Sequence, residues 1–129
     1  MTDQERRVAL VTGASRGIGA AIAQALSESC FVVGTATSEA GAKAISAALG
    51  DAGTGLMLQI DDDDSVSAAY KTMADQDLTP LIVVNNAGVT RDNLLIRMKP
   101  DEWQTVIDTN LTGLYRVVKP ALRAMVKGR

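Results

Sequence analysis

The sequence predicts an α/β fold of the Rossmann type, with a doubly wound parallel sheet that is truncated after about four strands. Four short apolar runs rich in Val, Ile and Leu occur along the chain without a clean alternation of apolar and polar residues. This pattern is typical of parallel strands that are covered on both faces. Stretches typical of helices separate the runs, and strands that alternate with helices at this spacing form βαβ units.

The predicted elements follow one another in a regular order. The strands cover residues 7–12, 31–37, 55–60 and 80–88. The helices between them cover residues 18–29, 38–50 and 63–75. After a polar loop, a last helix is predicted from about Asp101 to Lys127, either as one piece or interrupted near Pro120. The interruption is an alternative because Pro120 has no N–H to donate to the carbonyl of Arg116.

The composition favours one soluble domain. The chain has 129 residues, 47% of them apolar, and no linker or repeat marks a second domain. Its net charge of −2 gives no overall attraction to nucleic acid. The single Cys30 excludes an internal disulfide and suits a reducing cytoplasm. No apolar run reaches ~18 residues, so we expect neither a membrane span nor a secretory signal.

The segment VTGASRGIG, directly after the first strand, carries the strongest functional signal. Gly13, Gly17 and Gly19 stand where the strand ends and the first helix opens. In a phosphate-binding turn one glycine permits the tight turn, another lets the backbone approach the pyrophosphate, and a third lets helix and strand pack closely. The helix N-terminus then offers unpaired N–H groups to the anion. A glycine-rich turn with a purely structural role is the alternative.

Three motifs together give the chain a family resemblance. The glycines have the spacing TGxxxGxG, NNAG follows at residues 85–88, and TNLTG follows at residues 109–113. With these motifs in order and at family spacing, the chain resembles the short-chain dehydrogenase/reductase family over essentially its whole length. Within that family, residues 85–103 are similar to the bacterial reductases of 3-oxoacyl-[acyl-carrier-protein]. The resemblance implies NADPH-dependent reduction of 3-oxoacyl thioesters for fatty acid biosynthesis in the cytoplasm.

The resemblance also assigns roles to individual residues. Asn110 corresponds to the family's catalytic Asn, which extends the proton path through a water. The implied cofactor-binding residues are Gly13, Ala14, Ser15, Arg16, Gly17, Ile18, Gly19, Thr37, Gln59, Ile60, Asn86, Ala87 and Gly88. Gln59 departs from the family, since many members carry Asp or Asn there. Residues 27–33, SESCFVV, lack the Gly that commonly ends the first helix, so we expect a strained or frayed helix end.

The end of the second strand bears on the choice of cofactor. NAD-dependent enzymes usually carry an acid there that binds both ribose hydroxyls, whereas this chain has Thr37. Arg16 in the glycine turn is suited to a charge-assisted contact with a 2′-phosphate, so both residues favour NADP(H). Glu39 is the competing ribose-binding acid, although its place before a helix favours the role of a first-turn acid in the helix dipole.

Tyr115 and Lys119 reproduce the YxxxK spacing of the family's proton-donating pair but not its context. The resemblance places the catalytic Ser after a fifth strand and the catalytic Tyr on the helix that follows, whereas Tyr115 shares the predicted helix of Asn110. We therefore interpret the pair as a coincidence of spacing, with Tyr115 in a packing role. Of the four catalytic residues only Asn110 is then present. We expect residues 1–129 to be the N-terminal part of one NADP-binding domain, with an uncovered edge on the fourth strand.

Two charged segments have competing interpretations. Residues 61–64 are four carboxylates, and without EF-hand spacing or a nearby His they predict a solvated loop with a helix cap, not a metal site. The last helix carries a basic stripe, which we define as Arg116, Lys119, Arg123 and Lys127. The stripe is either a solvated face or a docking surface for acyl carrier protein, and the resemblance adds Arg129 to the docking surface.

Three functions are compatible with the sequence. The first is reduction of a 3-oxoacyl thioester on acyl carrier protein, and the segment NLLIRMK at residues 93–99 favours it. The second is the same chemistry on a coenzyme A thioester, as in acetoacetyl-CoA reductases. The third is a non-catalytic NADP-binding fragment. Full-length members of the family usually form homotetramers, which the resemblance implies for the complete protein.

Overall fold

The computed structural model describes residues 6–88 and 95–128, and it confirms the predicted α/β fold. Four parallel strands form one sheet in the order β3-β2-β1-β4. The strands are β1 (Arg7–Val11), β2 (Cys30–Ala36), β3 (Gly53–Met57) and β4 (Pro80–Val84). The chain thus extends the sheet from β1 through β2 to β3, and then returns to the other side of β1 with β4.

Helices connect the strands and cover both faces of the sheet. In the described residues they are α1 (Gly17–Leu26), α2 (Glu39–Leu49), α3 (Asp63–Asp75), α4 (Pro100–Val106) and α5 (Gly113–Gly128). Short 3₁₀ turns lie at Gly50–Ala52 and Leu95–Arg97, and a π-helical turn (Ile107–Thr112) joins α4 to α5. Within residues 6–88 and 95–128, none of these helices combines the length and the apolar character that crossing a membrane requires.

The hydrophobic core is divided between the two faces of the sheet. Successive residues of β1 point to opposite faces. Leu10 belongs to a buried cluster with Met73 of α3 and Val117 of α5, whereas Val11 belongs to a second cluster with Ile45 of α2. Because β1 is covered on both faces, its sequence shows a continuous apolar run instead of an alternation.

The strand β3 begins and ends earlier than predicted, at Gly53–Met57 instead of residues 55–60. A side chain at Gly55 would place its Cβ 2.0 Å from the carbonyl oxygen of Ala42, so helix α2 packs directly on the strand backbone. Glycines that serve close packing carry no apolar signal, which explains the missed start. Gln59 and Ile60 lie beyond the strand, in the connection to α3.

The last predicted helix, from about Asp101 to Lys127, is helical over its whole length but changes its geometry once. The helical path changes from α to π at Ile107–Thr112, whereas α5 runs through Pro120 without a break. Pro120 is exposed, so water can satisfy the carbonyl that the missing N–H leaves without a donor. Of the two alternatives, the interruption near Pro120 is wrong, and the single helix occurs with a change to π geometry at Ile107–Thr112.

The expected strain at the end of α1 is absent. Ser27 has an ordinary right-handed conformation, and its N–H donates to the carbonyl of Ala23 at 3.0 Å. The N–H of Ser29 donates to the carbonyl of Leu26 at 3.0 Å, so turns of the usual hand close the helix without a glycine. Among the described non-glycine residues, only Asp77 at the end of α3 has a positive φ, of 57°.

The strand β4 forms an edge of the sheet, as the sequence predicts. Its side chain Leu81 is 37% exposed, and the next three residues of the strand are only half-buried. An edge strand with apolar side chains in contact with water is a surface that can pair with another strand.

Candidate cofactor site

A cleft of ≈ 660 Å³ opens at the carboxyl ends of the strands. It lies where the order of the sheet reverses, because the chain continues from β1 to β2 on one side and places β4 on the other. In open α/β sheets this crevice is the usual place for a ligand. The cleft therefore occurs where the topology by itself predicts a binding site.

The glycine turn between β1 and α1 forms one wall of the cleft. Gly13 has φ +65° and Gly17 has φ +61°, a conformation that residues with a side chain rarely adopt. Gly19 has a different function, since a Cβ there would lie 1.9 Å from the carbonyl oxygen of Gly13. Two glycines therefore shape the turn, and the third allows the first turn of α1 to pack against it.

The N-terminus of α1 faces this wall without a side-chain cap. Arg16 is the N-cap residue, and its side chain makes no capping hydrogen bond. In contrast, Ser38 caps α2 and Asp62 caps α3 through their side chains. The first N–H groups of a helix have no partner within the helix and carry its positive dipole end. The first turn of α1 is thus suited to an anion.

Buried Thr12 fixes the glycine turn to the end of β4. Its hydroxyl oxygen accepts hydrogen bonds from the N–H groups of Asn86 at 3.1 Å and Ala87 at 3.0 Å. The side chain of Asn86 in turn donates to the carbonyl of Gly13 at 3.0 Å. On the other side, the N–H of Ala14 donates to the carbonyl of Thr35 in β2 at 2.8 Å. The turn is therefore held between both neighbouring strands.

The opposite rim of the cleft is formed by the ends of β2 and β3. The side-chain amide of Gln59 donates to the carbonyl of Thr37 at 2.8 Å and so joins the two chain segments. The N–H of Gln59 donates to the hydroxyl of Ser65 at 2.8 Å. Gln59 thus donates hydrogen bonds from its side chain and from its backbone, and these two bonds hold it in place at the rim.

The π-helical turn closes the cleft from the side of α4 and α5. Thr105 and Thr109, four residues apart, line the cleft on this side. Asn110 lies next to Gly88, where a Cβ would come 2.8 Å from the side-chain oxygen of Asn110. π-helical turns are rare in proteins, and those that occur are often found at functional sites. The candidate catalytic residue thus stands beside the NNAG segment, although it does not itself line the cleft.

Eleven of the thirteen predicted cofactor-binding residues line the cleft. They are Gly13, Ser15, Arg16, Gly17, Ile18, Thr37, Gln59, Ile60, Asn86, Ala87 and Gly88. The other two, Ala14 and Gly19, are buried behind its surface, so their part is to shape the turn. Five further lining residues were not predicted from the sequence: Ala36, Leu58, Asp61, Thr105 and Thr109.

Tyr115 and Lys119 do not line the cleft. Lys119 donates to the hydroxyl of Tyr115 at 2.9 Å, and this hydrogen bond raises the pKa of Lys119. Tyr115 is 61% exposed, so in this structure it does not have the packing role that we expected. The pair is a contact on the surface of α5.

An ion pair at Arg116 joins the acidic segment, residues 61–64, to the basic stripe. Asp62 accepts hydrogen bonds from the N–H groups of Asp64 and Ser65 and so caps α3, as the sequence predicts for one of the carboxylates. Asp63 forms an ion pair with Arg116 at 2.9 Å. Arg116 is therefore engaged inside the molecule and is not part of a free docking stripe. The described residues contain no group of three or more His, Cys, Asp or Glu side chains arranged for a metal ion.

The four-stranded parallel sheet with helices on both faces defines an α/β domain of the Rossmann type, with a cleft where the strand order reverses. Comparison with known protein families gives the particular class: the short chain dehydrogenase family matches residues 7–129. The chain therefore belongs to the short chain dehydrogenase family.

Several curated relatives share high identity with the chain. It is 57% identical over 126 residues to a 3-oxoacyl-[acyl-carrier-protein] reductase of Vibrio harveyi, covering 97% of this chain and 52% of the relative. The reductase of the same name from Haemophilus influenzae is 52% identical over 124 residues, covering 95% of this chain and 51% of the relative. That of Escherichia coli is 52% identical over 126 residues, with 97% and 52% covered. The chain spans about half the length of these relatives.

Proposed function

We propose that this chain binds NADP(H) in the cleft, with the pyrophosphate at the N-terminus of α1. The observation that carries the proposal is the uncapped first turn of α1 behind a turn shaped by Gly13 and Gly17. Backbone N–H groups at a helix N-terminus bind phosphate without any cationic side chain. The volume of ≈ 660 Å³ falls in the range of about 300–1,000 Å³ that is typical of ligand sites.

The rim of the cleft supports a preference for the 2′-phosphate. Arg16 and Thr37 both line the cleft and are exposed, so a guanidinium and a hydroxyl are available to an anion there. Glu39, the competing acid, lies in the first turn of α2 and is 3.5 Å from Lys43. It lines a separate groove between α2 and α3, away from Arg16. Glu39 is therefore not favoured as a ribose-binding acid.

We infer that the cofactor serves the reduction of a 3-oxoacyl thioester carried by acyl carrier protein in fatty acid biosynthesis. The names of the relatives and the motifs of the chain support this reaction. The cofactor would supply the hydride, and Asn110 would hold a water or a proton carrier beside Gly88. Tyr115 and Lys119 lie outside the cleft, so we assign residues 6–128 the binding of the cofactor and not the transfer of the proton.

Docking of acyl carrier protein remains a prediction. Arg129, the residue that the resemblance favours, lies outside the described residues. Arg123 and Lys127 of the basic stripe are exposed, whereas Arg116 is engaged with two carboxylates. Of the stripe, the exposed residues Lys119, Arg123 and Lys127 are therefore the candidates for the proposed carrier contact.

Titration of the purified chain with NADPH and NADH tests the cofactor proposal. Trp103 is the only tryptophan and lies on α4, so its fluorescence can report binding. We expect Arg16→Ala to lower the affinity for NADPH by about tenfold and the affinity for NADH much less, because a charge-assisted contact to the 2′-phosphate is lost. Lys43→Ala removes a surface cation outside the cleft and serves as the control. Equal losses for both cofactors with Arg16→Ala would refute the 2′-phosphate assignment.

The assignment of residues 6–128 to binding alone needs a separate test. The chain is incubated with NADPH and a 3-oxoacyl thioester of acyl carrier protein, and NADPH oxidation is followed. We expect no oxidation above the thioester-free control. Turnover that the unaltered chain shows and that Tyr115→Phe abolishes would mean that Tyr115 donates the proton.

A further inference from the structure

The π-helical turn Ile107–Thr112 has an unusual register that some contact must hold. Its defining hydrogen bond runs from the N–H of Gly113 to the carbonyl of Asp108, one residue farther than in an α-helix. The π geometry is intrinsically rare, so the rest of the structure must favour it over a continuous α-helix. The turn contains Thr109, which lines the cleft, and Asn110. The register of the turn therefore sets where these two residues stand.

Arg116, in the first turn of α5, contacts the π-helical turn and the cleft wall at once. Its Nη1 donates to the carbonyl of Asp108 at 3.2 Å, and its Nη2 donates to the carboxylate of the same residue at 2.9 Å. Nη1 also donates to the carbonyl of Ile60 at 3.2 Å, and Nε donates to the carboxylate of Asp63 at 2.9 Å. Four hydrogen bonds from one guanidinium join three segments of the chain. We call Arg116 and its three partners, Ile60, Asp63 and Asp108, the Arg116 network.

The surroundings of the network distinguish it from a surface ion pair. The side chain of Arg116 is only 15% exposed, although Asp63 is 84% exposed. The acceptor carbonyl of Asp108 is the same one that receives the N–H of Gly113. Gly113 itself packs on Ile60, since a Cβ at Gly113 would lie 3.1 Å from the Ile60 side chain. The guanidinium thus reinforces both the π hydrogen bond and the contact of the turn with the cleft wall.

We propose that Arg116 is a positioning residue that keeps the π-helical turn in register against Ile60 and so fixes Thr109 and Asn110 beside the cleft. The carbonyl of Ile60, the carbonyl of Asp108 and the two carboxylates lie in different directions from the side chain. A planar fork with five donors satisfies such a set, whereas the single ammonium of Lys does not. The residue acts through the backbone and has no direct part in the chemistry.

Amide hydrogen exchange at Gly113 tests the proposal without any nucleotide. We expect Arg116→Met to accelerate exchange of the Gly113 N–H by about tenfold or more, because the π hydrogen bond opens more often. Buried amides of β1 and β2 should change much less. Arg123→Met makes the same substitution on an exposed residue of the same helix and should leave Gly113 unchanged. Equal acceleration at Gly113 and throughout the sheet would show only global destabilisation and would overturn the proposal.

Arg116→Lys keeps the test decisive if the methionine variant does not fold. This variant retains the charge and the aliphatic stem but not the forked donors. We expect its Gly113 exchange to be faster than in the unaltered chain by a few fold, with the sheet amides unchanged. Exchange identical to that of the unaltered chain would mean that charge alone suffices and that the fork has no positioning role.

A second readout rests on the proposed function. If Thr109 and Asn110 stand at the cofactor, Arg116→Lys should lower the affinity for NADPH by about threefold to tenfold, with no comparable effect of Arg123→Met. Failure of the unaltered chain to bind NADPH would refute the proposed function and leave the exchange result standing. Unchanged NADPH affinity together with accelerated Gly113 exchange would overturn the link from the turn to the cleft.

Discussion

Thr12 offers a sharp test of how the glycine turn is held, because one buried hydroxyl serves two backbone donors. Its side chain is 1% exposed, and its oxygen accepts from Asn86 and Ala87 at 3.1 and 3.0 Å. Thr12→Val keeps the shape but leaves both N–H groups without an acceptor. Each unsatisfied donor costs about 1–3 kcal/mol. Since both donors are half-buried, we expect a total loss of about 2–4 kcal/mol in the free energy of unfolding.

Urea denaturation followed by far-UV circular dichroism measures this loss. Thr12→Ser is the matched control, because it keeps the hydroxyl and removes one methyl group, at about 1 kcal/mol. The valine variant should therefore unfold at a clearly lower urea concentration than the serine variant, with an unchanged m-value. If both variants have the same midpoint, the hydroxyl does not connect β1 to β4 in the way the distances indicate.

Two further predictions concern α3. The hydroxyl of Tyr70 donates to the carbonyl of Val117, and burial raises the pKa of Tyr70 to about 12. Because the folded state favours the neutral phenol, the contribution of Tyr70 to the free energy of unfolding is fully present below about pH 10. This contribution is lost as the pH rises toward 12. After a discount for the partial exposure of Tyr70, we expect a loss of about 1 kcal/mol. Tyr70→Phe should abolish this part of the decrease in melting temperature with pH, whereas Tyr115→Phe should retain it. For Asp77, φ 57° predicts that Asp77→Gly raises stability by about 0.5–1 kcal/mol and that Asp77→Ala lowers it; equal melting temperatures would contradict the strain.

The strands and most helices could be predicted because their signals are local. Apolar runs and helix-forming stretches predicted the four strands and the helices between them, with bounds that differ from the observed ones by a few residues. The start of β3 could not be predicted, since Gly53 and Gly55 are there for close packing. A Cβ at Gly53 would lie 2.3 Å from the carbonyl oxygen of Val32, a contact between distant parts of the chain. The local pattern of apolar residues does not indicate which distant backbone atoms come into contact.

The position of the change to π geometry was also not predictable from the sequence. Proline is the local signal for a break, yet Pro120 lies on an exposed part of α5 where one missing N–H is tolerated. The actual change to π geometry depends on Arg116 and on the approach of Gly113 to Ile60, which join residues more than fifty positions apart. Long-range hydrogen bonds of this kind appear only once the fold is known.

The candidate site was predicted where a motif places several residues together. The glycine turn and the NNAG segment come to one cleft, because both follow neighbouring parallel strands at the same edge of the sheet. Thr12 was missed as the residue that joins the two segments, since its role depends on a partner at Asn86. Thr105 and Thr109 were missed for a similar reason, although their spacing of four places them on one helical face.

Backbone amide chemical shifts can show directly whether NADPH binds in the cleft at the N-terminus of α1. The isotopically labelled chain is titrated with NADPH, and shifts are followed residue by residue. We expect the largest changes at the first amides of α1, Gly17 to Gly19, and at Asn86 to Gly88. Unchanged shifts at these amides, or changes concentrated at Lys43 and Met57 in the groove between α2 and α3, would contradict binding of NADPH in the cleft.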